Sequence, residues 1–270
     1  AFKMDGLGND FVIIDQRSQN YNLTKDQIIK ICDRKFIGCD QLILIQKSNE
    51  KDAGLEFYNS DGSISGACGN GTRCVADLLS KENNDKEITL WTSSGALKSQ
   101  ILGNNLVETE IGVPRTNWNE IPLSKKLNTK DLQIEIIDEK KNKHIGGIAI
   151  NVGNPHVIFF VDDIEIFDLK KIGPEIENNE LFPEKCNVTL AKVMNKNLVK
   201  VKVWERGAGL TKACGTAACA TVVAGNIRSL VEKTTDIEFE LGKLTISIDE
   251  KNSIHMKGPV SDIEEISIKL

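Results

Sequence analysis

The 270-residue sequence has no apolar run approaching the roughly 20 residues a membrane-spanning helix needs. It has no excess of basic charge either: 34 Lys and Arg stand against 39 Asp and Glu, for a net charge of −5. Where lysines gather, as in Glu139-Lys140-Lys141-Asn142-Lys143, acids are interleaved, which describes a solvated surface and argues against nucleic acid as the partner. Histidine is scarce: His144, His156 and His255 each stand alone. None of the seven cysteines is spaced as Cys-x-x-Cys, so no metal-ligand pattern is present. An odd cysteine count in a chain of this length also excludes a disulfide framework as its organising device. The opening residues Ala1-Phe2-Lys3-Met4-Asp5 carry none of the basic stretch, apolar core or cleavage site of an export signal. The expectation is a cytoplasmic protein with reduced thiols and no metal. Its partner should be a small-molecule substrate, with neither nucleic acid nor membrane; a homodimer is left open.

What is present is a repeat. Ala67-Cys68-Gly69-Asn70 and Ala213-Cys214-Gly215-Thr216 lie 146 positions apart (214 − 68). At the same offset Phe57-Tyr58-Asn59 falls on Val203-Trp204-Glu205, and Gln41-Leu42-Ile43-Leu44 on Asn187-Val188-Thr189-Leu190. One residue out of step, Gly8-Asn9-Asp10-Phe11-Val12-Ile13 meets Gly153-Asn154-Pro155-His156-Val157-Ile158. Four anchors in one order indicate a duplicated unit that presents one cysteine per half. The expected halves are residues 1–116, joined by 260–270, and residues 117–259.

Short runs rich in Val, Ile and aromatics, bounded by Gly, Asn or Asp, predict strands over Phe11–Asp15, Gln41–Gln46, Leu55–Tyr58, Glu87–Thr92, Leu106–Ile111, His156–Val161, Leu198–Trp204, Ile237–Leu241 and Leu244–Ile248. A further strand-like end, Ile266–Leu270, could return to the first half. Thr24 with Gln27 three residues on is a capping box, opening a helix whose buried face carries Ile28, Ile31 and Cys32. Two more helices start at the cysteine motifs, with Val75, Leu78 and Leu79 in one and Ala218, Val222, Val223, Ile227 and Leu230 in the other, longer one. Cys74 and Cys219 fall inside them as packing residues. The segment from Pro114 to Pro122 has no periodicity and predicts a linker.

A cysteine at a helix start meets unpaired N–H groups and the positive end of the macrodipole, which favour its thiolate over a free thiol of pKa about 8.5. The same N–H groups make an anion site, and Gly69 and Gly215 let a carboxylate approach the backbone. Two such starts suggest thiols on opposite faces of one substrate carbon, one removing a proton and the other returning one. Developing charge beside a carboxylate would be held by the helix N-termini, so no pyridoxal phosphate or other cofactor is required. His156, alone, would read as an ordinary surface or core histidine, but it lies in a duplicated anchor.

Together Lys3-Met4-Asp5-Gly6-Leu7-Gly8-Asn9-Asp10-Phe11, Gly66-Ala67-Cys68-Gly69-Asn70-Gly71-Thr72-Arg73-Cys74, Gly153-Asn154-Pro155-His156 and Glu205-Arg206-Gly207-Ala208-Gly209-Leu210-Thr211-Lys212-Ala213-Cys214-Gly215-Thr216 closely resemble the diaminopimelate epimerase family. The resemblance covers essentially the whole chain. It implies an α/β (α+β) fold of two pseudo-symmetric duplicated domains, each a mixed β-sheet wrapped around a central helix, with the active site in the cleft between them. It implies cofactor-independent interconversion of LL- and meso-diaminopimelate for lysine and peptidoglycan synthesis, with Cys68 and Cys214 as the two bases. By the same resemblance Gly69, Asn70, Gly215 and Thr216 would hold the reacting carboxylate. Asn9, Asn59, Asn154, Asn187 and Arg206 would bind the rest of the substrate. Gln41, His156 and Glu205 would line the site, the last two tuning which thiol is ionised. Leu210 stands where Glu is more usual, Ala217 where Gly is common, and Ala67 where a larger residue often precedes the cysteine. Two alternatives remain beside this one: racemisation of a smaller substrate such as proline or hydroxyproline, and a non-catalytic binding module with the thiols as a redox switch.

Overall fold

The computed structural model describes residues 1–49, 51–66, 68–93 and 95–269. Ala67 of the first cysteine motif and Leu270 of the expected C-terminal strand lie outside the described residues. The chain divides into two compact units, Ala1–Ile111 with Lys257–Leu270, and Gly112–Met256.

In the first unit, strand Phe2–Gly6 pairs antiparallel with Asn9–Asp15, which runs parallel to Gln41–Gln46 after the connecting helix α1 (Lys25–Cys32). Gln41–Gln46 is antiparallel to Ala53–Asn59; that strand lies parallel to Glu87–Thr92, and helix α2 (Gly69–Asn83) joins the two. Gly95–Gly103 and Leu106–Gly112 continue as an antiparallel meander.

The apolar runs are explained by burial on both faces of this sheet, since a strand covered on both sides has no solvent face to leave polar. Phe11, Ile13, Ile43, Ile45 and Phe57 pack on Cys74, Val75, Leu78 and Leu79 of α2. Their neighbours Val12, Ile14, Leu42 and Leu44 pack on Ile28, Ile31 and Cys32 of α1. Each such fully buried aliphatic or aromatic side chain contributes about 1.5–3 kcal/mol. The Thr24 capping box predicted for α1 is formed in both directions.

The second unit repeats the plan with Ile148–Asn151, Pro155–Phe160, α3 (Leu169–Glu177), Asn187–Asn195, Leu198–Glu205, α4 (Gly215–Ile227), Thr234–Phe239 and Gly242–Ile248. Strand register repeats residue for residue. Phe11 opposite Gln41 becomes His156 opposite Asn187, and Leu42 opposite Tyr58 becomes Val188 opposite Trp204. Phe57 opposite Ser65 becomes Val203 opposite Thr211. The duplication in the sequence is thus a duplication of hydrogen-bond register.

Several elements differ from expectation. Helix α3 was hidden by Gly173-Pro174, two residues that usually break a helix. Here Pro174 is tolerated inside α3, and Gly173 is required because a Cβ there would lie 2.5 Å from Trp204 Cγ. The segment from Pro114 to Pro122 is not a free linker: Arg115 and Asn151 exchange backbone hydrogen bonds at 2.8 and 3.0 Å, and Ile121 is fully buried. At the C-terminus the strand is Glu264–Glu265, paired with Phe2 and Lys3, while Ile266 and Ile268 beyond it pack against the α1 layer. No described helix is long and apolar enough to cross a membrane.

Candidate active site

Both motif cysteines are N-caps of the helix their own unit wraps. Cys68 caps α2 with φ −132° and ψ 111°, and Cys214 caps α4 with φ −141° and ψ 113°. Neither first turn contains an acidic side chain, and neither cap is closed by a side-chain hydrogen bond. The N–H groups of both turns therefore keep the capacity to bind a carboxylate.

In the first unit Cys68 is half-buried, and its Sγ lies 3.6 Å from Asn9 Oδ1. Asn70 Nδ2 donates to the same oxygen at 3.4 Å, and Arg73 Nη2 donates to Asn70 Oδ1 at 3.0 Å. Across the strand pair Gln41 Nε2 donates to Asn59 Oδ1 at 3.0 Å, and Asn59 Nδ2 donates to Ser63 Oγ at 3.0 Å. The unit thus forms a Cys68–Asn9–Asn70 group beside the Gly69 N-terminus, and a separate Gln41–Asn59 pair.

In the second unit Cys214 is buried, its sulfur 3.4 Å from the Thr216 hydroxyl, with Gly215 opening the helix. The helix-start argument predicts a favoured thiolate, and here it is outweighed. Burial pushes the Cys214 thiol well above its ordinary range, and the Glu205 carboxylate pushes it further in the same direction. The Thr216 hydroxyl and the Ala217 N–H oppose the rise without cancelling it. Glu205 is itself held by the Thr211 hydroxyl, which donates at 2.5 Å.

Beside this group lies a second one. Arg206 N–H donates to Asn187 Oδ1 at 2.9 Å, Asn187 Nδ2 donates to the Pro155 carbonyl at 3.0 Å, and Arg206 Nη1 donates to the Glu184 carbonyl at 2.7 Å. His156 Nε2 meets Asn154 Oδ1 at 2.8 Å, so the ring proton belongs on Nε2. His156 is fully buried, and burial together with the nearby Arg206 charge depresses its pKa to about 3, leaving a neutral imidazole. Its hydrogen-bonding neighbour is Asn154, whereas the charge acting on Cys214 is that of Glu205. Arg206 also lines a polar cavity of about 470 Å³ with Arg115, Glu120, Asn151, Gly153 and Glu184.

Sequence reasoning missed Asp40, Arg73, Thr211 and Arg115. Asp40 could have been noticed as the charged neighbour of Gln41, and Arg73 as a cation within an otherwise apolar helix stripe. Among the described residues no group of three or more His, Cys, Asp or Glu is placed to hold a metal ion. Among the described residues no two cysteines are joined by a disulfide.

The family model described as diaminopimelate epimerase matches residues 1–116 and 148–263. A diaminopimelate epimerase of Pelagibacter ubique (strain HTCC1062) is 82% identical over 270 residues, covering 100% of this chain and 98% of that protein. One from Phenylobacterium zucineum (strain HLK1) is 42% identical, covering 96% and 94%. Among solved structures, a predicted epimerase from Pseudomonas aeruginosa has a TM-score of 0.70 at 14% identity, covering 99% of each chain. A hydroxyproline epimerase from Agrobacterium vitis, with bound trans-4-hydroxy-L-proline, has a TM-score of 0.64 at 13% identity, covering 98% and 90%. At such identities the structural matches speak to the fold alone.

Proposed function

The chain belongs to the diaminopimelate epimerase family, and from that premise we propose that Cys68 and Cys214 are the two proton-transfer groups of diaminopimelate epimerisation. The reaction is an epimerisation, so one α-hydrogen must leave a carbon and another must arrive on its opposite face. The observation that carries the assignment is the matched pair of N-caps: the same residue type, with the same backbone conformation, at the head of the central helix of each unit. One sulfur, as thiolate, takes the α-proton of LL-diaminopimelate; the other, as thiol, returns a proton to give the meso isomer.

The carbanion between these steps is delocalised into the substrate's α-carboxylate. N–H groups of the two first turns, at Gly69 and Asn70 and at Gly215 and Thr216, would hold that carboxylate and stabilise its growing charge. No cofactor enters this scheme. Arg206, Asn187 and Asn154 would take the distal amino-acid end. The polar cavity at Arg206 supports this, because Arg115 and Arg206 line it together with Glu120 and Glu184, charges of both signs as a zwitterion requires. Asn9, Asn59, Gln41 and Glu205 would complete the lining, and His156 would present a fixed neutral ring to it. A cytoplasmic setting and a homodimer belong to the same reading.

Incubation with LL-diaminopimelate in deuterium oxide tests the assignment. Reduced enzyme is expected to give meso product deuterated at the inverted carbon. Turnover without deuterium incorporation, or no turnover by reduced enzyme, would overturn it. A parallel incubation with proline separates this reaction from racemisation of a smaller substrate.

A further inference from the structure

We infer that Asp40 and Arg73 are positioning residues for Cys68: acting through Asn9 and Asn70, they pin a carbonyl oxygen against the Cys68 sulfur, which favours its thiol form and raises the pH at which it ionises. The argument rests on which groups can only donate and which can only accept. Asn9 Nδ2 lies 3.0 Å from Asp40 Oδ2. A carboxylate has no proton to give, so the Asn9 amide must turn its NH2 toward Asp40 and its oxygen away. Arg73 can only donate, so Asn70 must turn its oxygen toward Arg73 at 3.0 Å and its NH2 away, to Asn9 Oδ1 at 3.4 Å. The hydrogen bonds run one way, from Arg73 to Asn70 to Asn9 to Asp40, and each end permits one orientation.

The oxygen fixed by this relay is the one 3.6 Å from Cys68 Sγ. An S–H can donate to it, whereas a thiolate would face its lone pairs. A hydrogen bond to the protonated form of a group favours that form.

The Asp40 end is held firmly. Arg34 Nη2 donates to Asp40 Oδ1 at 2.6 Å, and the same guanidinium grips Asp10 at 2.6 and 2.8 Å. The Asp10 N–H donates to Asp40 Oδ2 at 3.2 Å. Gly38, at φ +78°, sets the turn that leads into Asp40, and a Cβ there would come within 2.9 Å of Arg34 Cα. The charged groups around this corner are Lys3, Asp5, Asp10, Arg34 and Asp40 on the strand and loop side, and Arg73 and Asp77 on α2.

The second unit is an internal control for packing. At the 146-residue offset, Asp40 corresponds to Cys186, Asn70 to Thr216 and Arg73 to Cys219. Cys186 and Cys219 are fully buried, as Arg73 is. The same scaffold is therefore built without the relay, and a fully buried guanidinium, costly to desolvate, is not a requirement of the fold.

The inference rests on Cys68 being a proton-transfer group, but its test reads the sulfur and not turnover, so the two can fail separately. The measurement is the rate of iodoacetamide alkylation of the Cys68 peptide against pH, followed by mass spectrometry. In Asp40→Asn the new amide can donate or accept, which frees Asn9 to turn its NH2 to the sulfur. The midpoint for Cys68 is expected to move to lower pH and the rate at pH 7 to rise about fivefold or more, the scale of one hydrogen bond. Asp40→Glu should restore the parent midpoint, and the Cys214 peptide should not shift in either variant. If Asp40→Asn does not fold, Asn9→Ser, whose hydroxyl can rotate to donate, should give the same shift. An unchanged Cys68 midpoint in the folded variant, or an equal shift at Cys214, overturns the proposal. A shift at Cys68 in a protein inactive on diaminopimelate would uphold it and sink the epimerase assignment instead.

Discussion

Glu205 acts on the buried Cys214 thiol as a carboxylate, while its counterpart in the first unit, Asn59, is a neutral amide bonded to Gln41 and Ser63. A duplicated frame thus surrounds its two sulfurs with different charge.

Glu205→Gln removes a negative charge that raises the Cys214 thiol. The sign follows directly: with the carboxylate gone the thiolate is penalised less, so the Cys214 titration moves to lower pH. The thiolate fraction at a fixed pH is therefore expected to rise. Alkylation of the Cys214 peptide as a function of pH measures it, and an upward or absent shift would contradict the role given to Glu205.

Cys68→Ala and Cys214→Ala should each lower the epimerisation rate by about 10²–10⁴-fold, the usual contribution of a positioned proton-transfer group. Thermal melts should move little in Cys68→Ala, since this sulfur is only half-buried. Full activity in either variant would end the two-thiol reading and leave the redox-switch alternative standing.

His156 is neutral and fully buried in the folded protein, with a pKa of about 3 against an ordinary value of 6.5. The unfolded chain therefore binds a proton that the folded one refuses as pH falls below 6.5. Stability on this account is complete above pH 6.5 and declines from there toward pH 3. His156→Phe, the side chain that Phe11 supplies at the matching position, should flatten part of that decline in melting temperature between pH 7 and pH 4.

Gly173→Ala should destabilise the protein by about 1–3 kcal/mol, as overpacking does. The added methyl would lie 2.5–2.6 Å from Trp204 Cγ and Cδ2, pushing α3 from the strand that carries Glu205. Denaturant titration followed by tryptophan emission checks it, and an unchanged midpoint would show that α3 can yield without cost.

Legibility in the sequence followed burial. Gln41–Gln46 and Glu87–Thr92 were predicted to the residue, because strands covered on both faces or alternating cleanly leave an unbroken signal. Phe2–Gly6 was not seen: its Lys3, Asp5 and Gly6 mask the two apolar residues that carry it. Helix α3 was lost for the opposite reason, a glycine and a proline accepted for packing where local preference forbids them.

The positions of Cys68 and Cys214 at helix starts could be read from spacing, but the state of Cys214 could not. Its acidity is set by burial and by Glu205, nine residues earlier at the end of strand Leu198–Glu205. Local sequence carries the helix dipole and not the desolvation that opposes it.

The repeated register has a use beyond describing descent. Because Phe11 and His156, Asp40 and Cys186, and Arg73 and Cys219 occupy equivalent places against equivalent strands, each unit is a worked answer to what the other could hold there. The molecule therefore carries its own short list of candidate exchanges, each one a change of charge or proton affinity at a place whose backbone the other unit already reproduces.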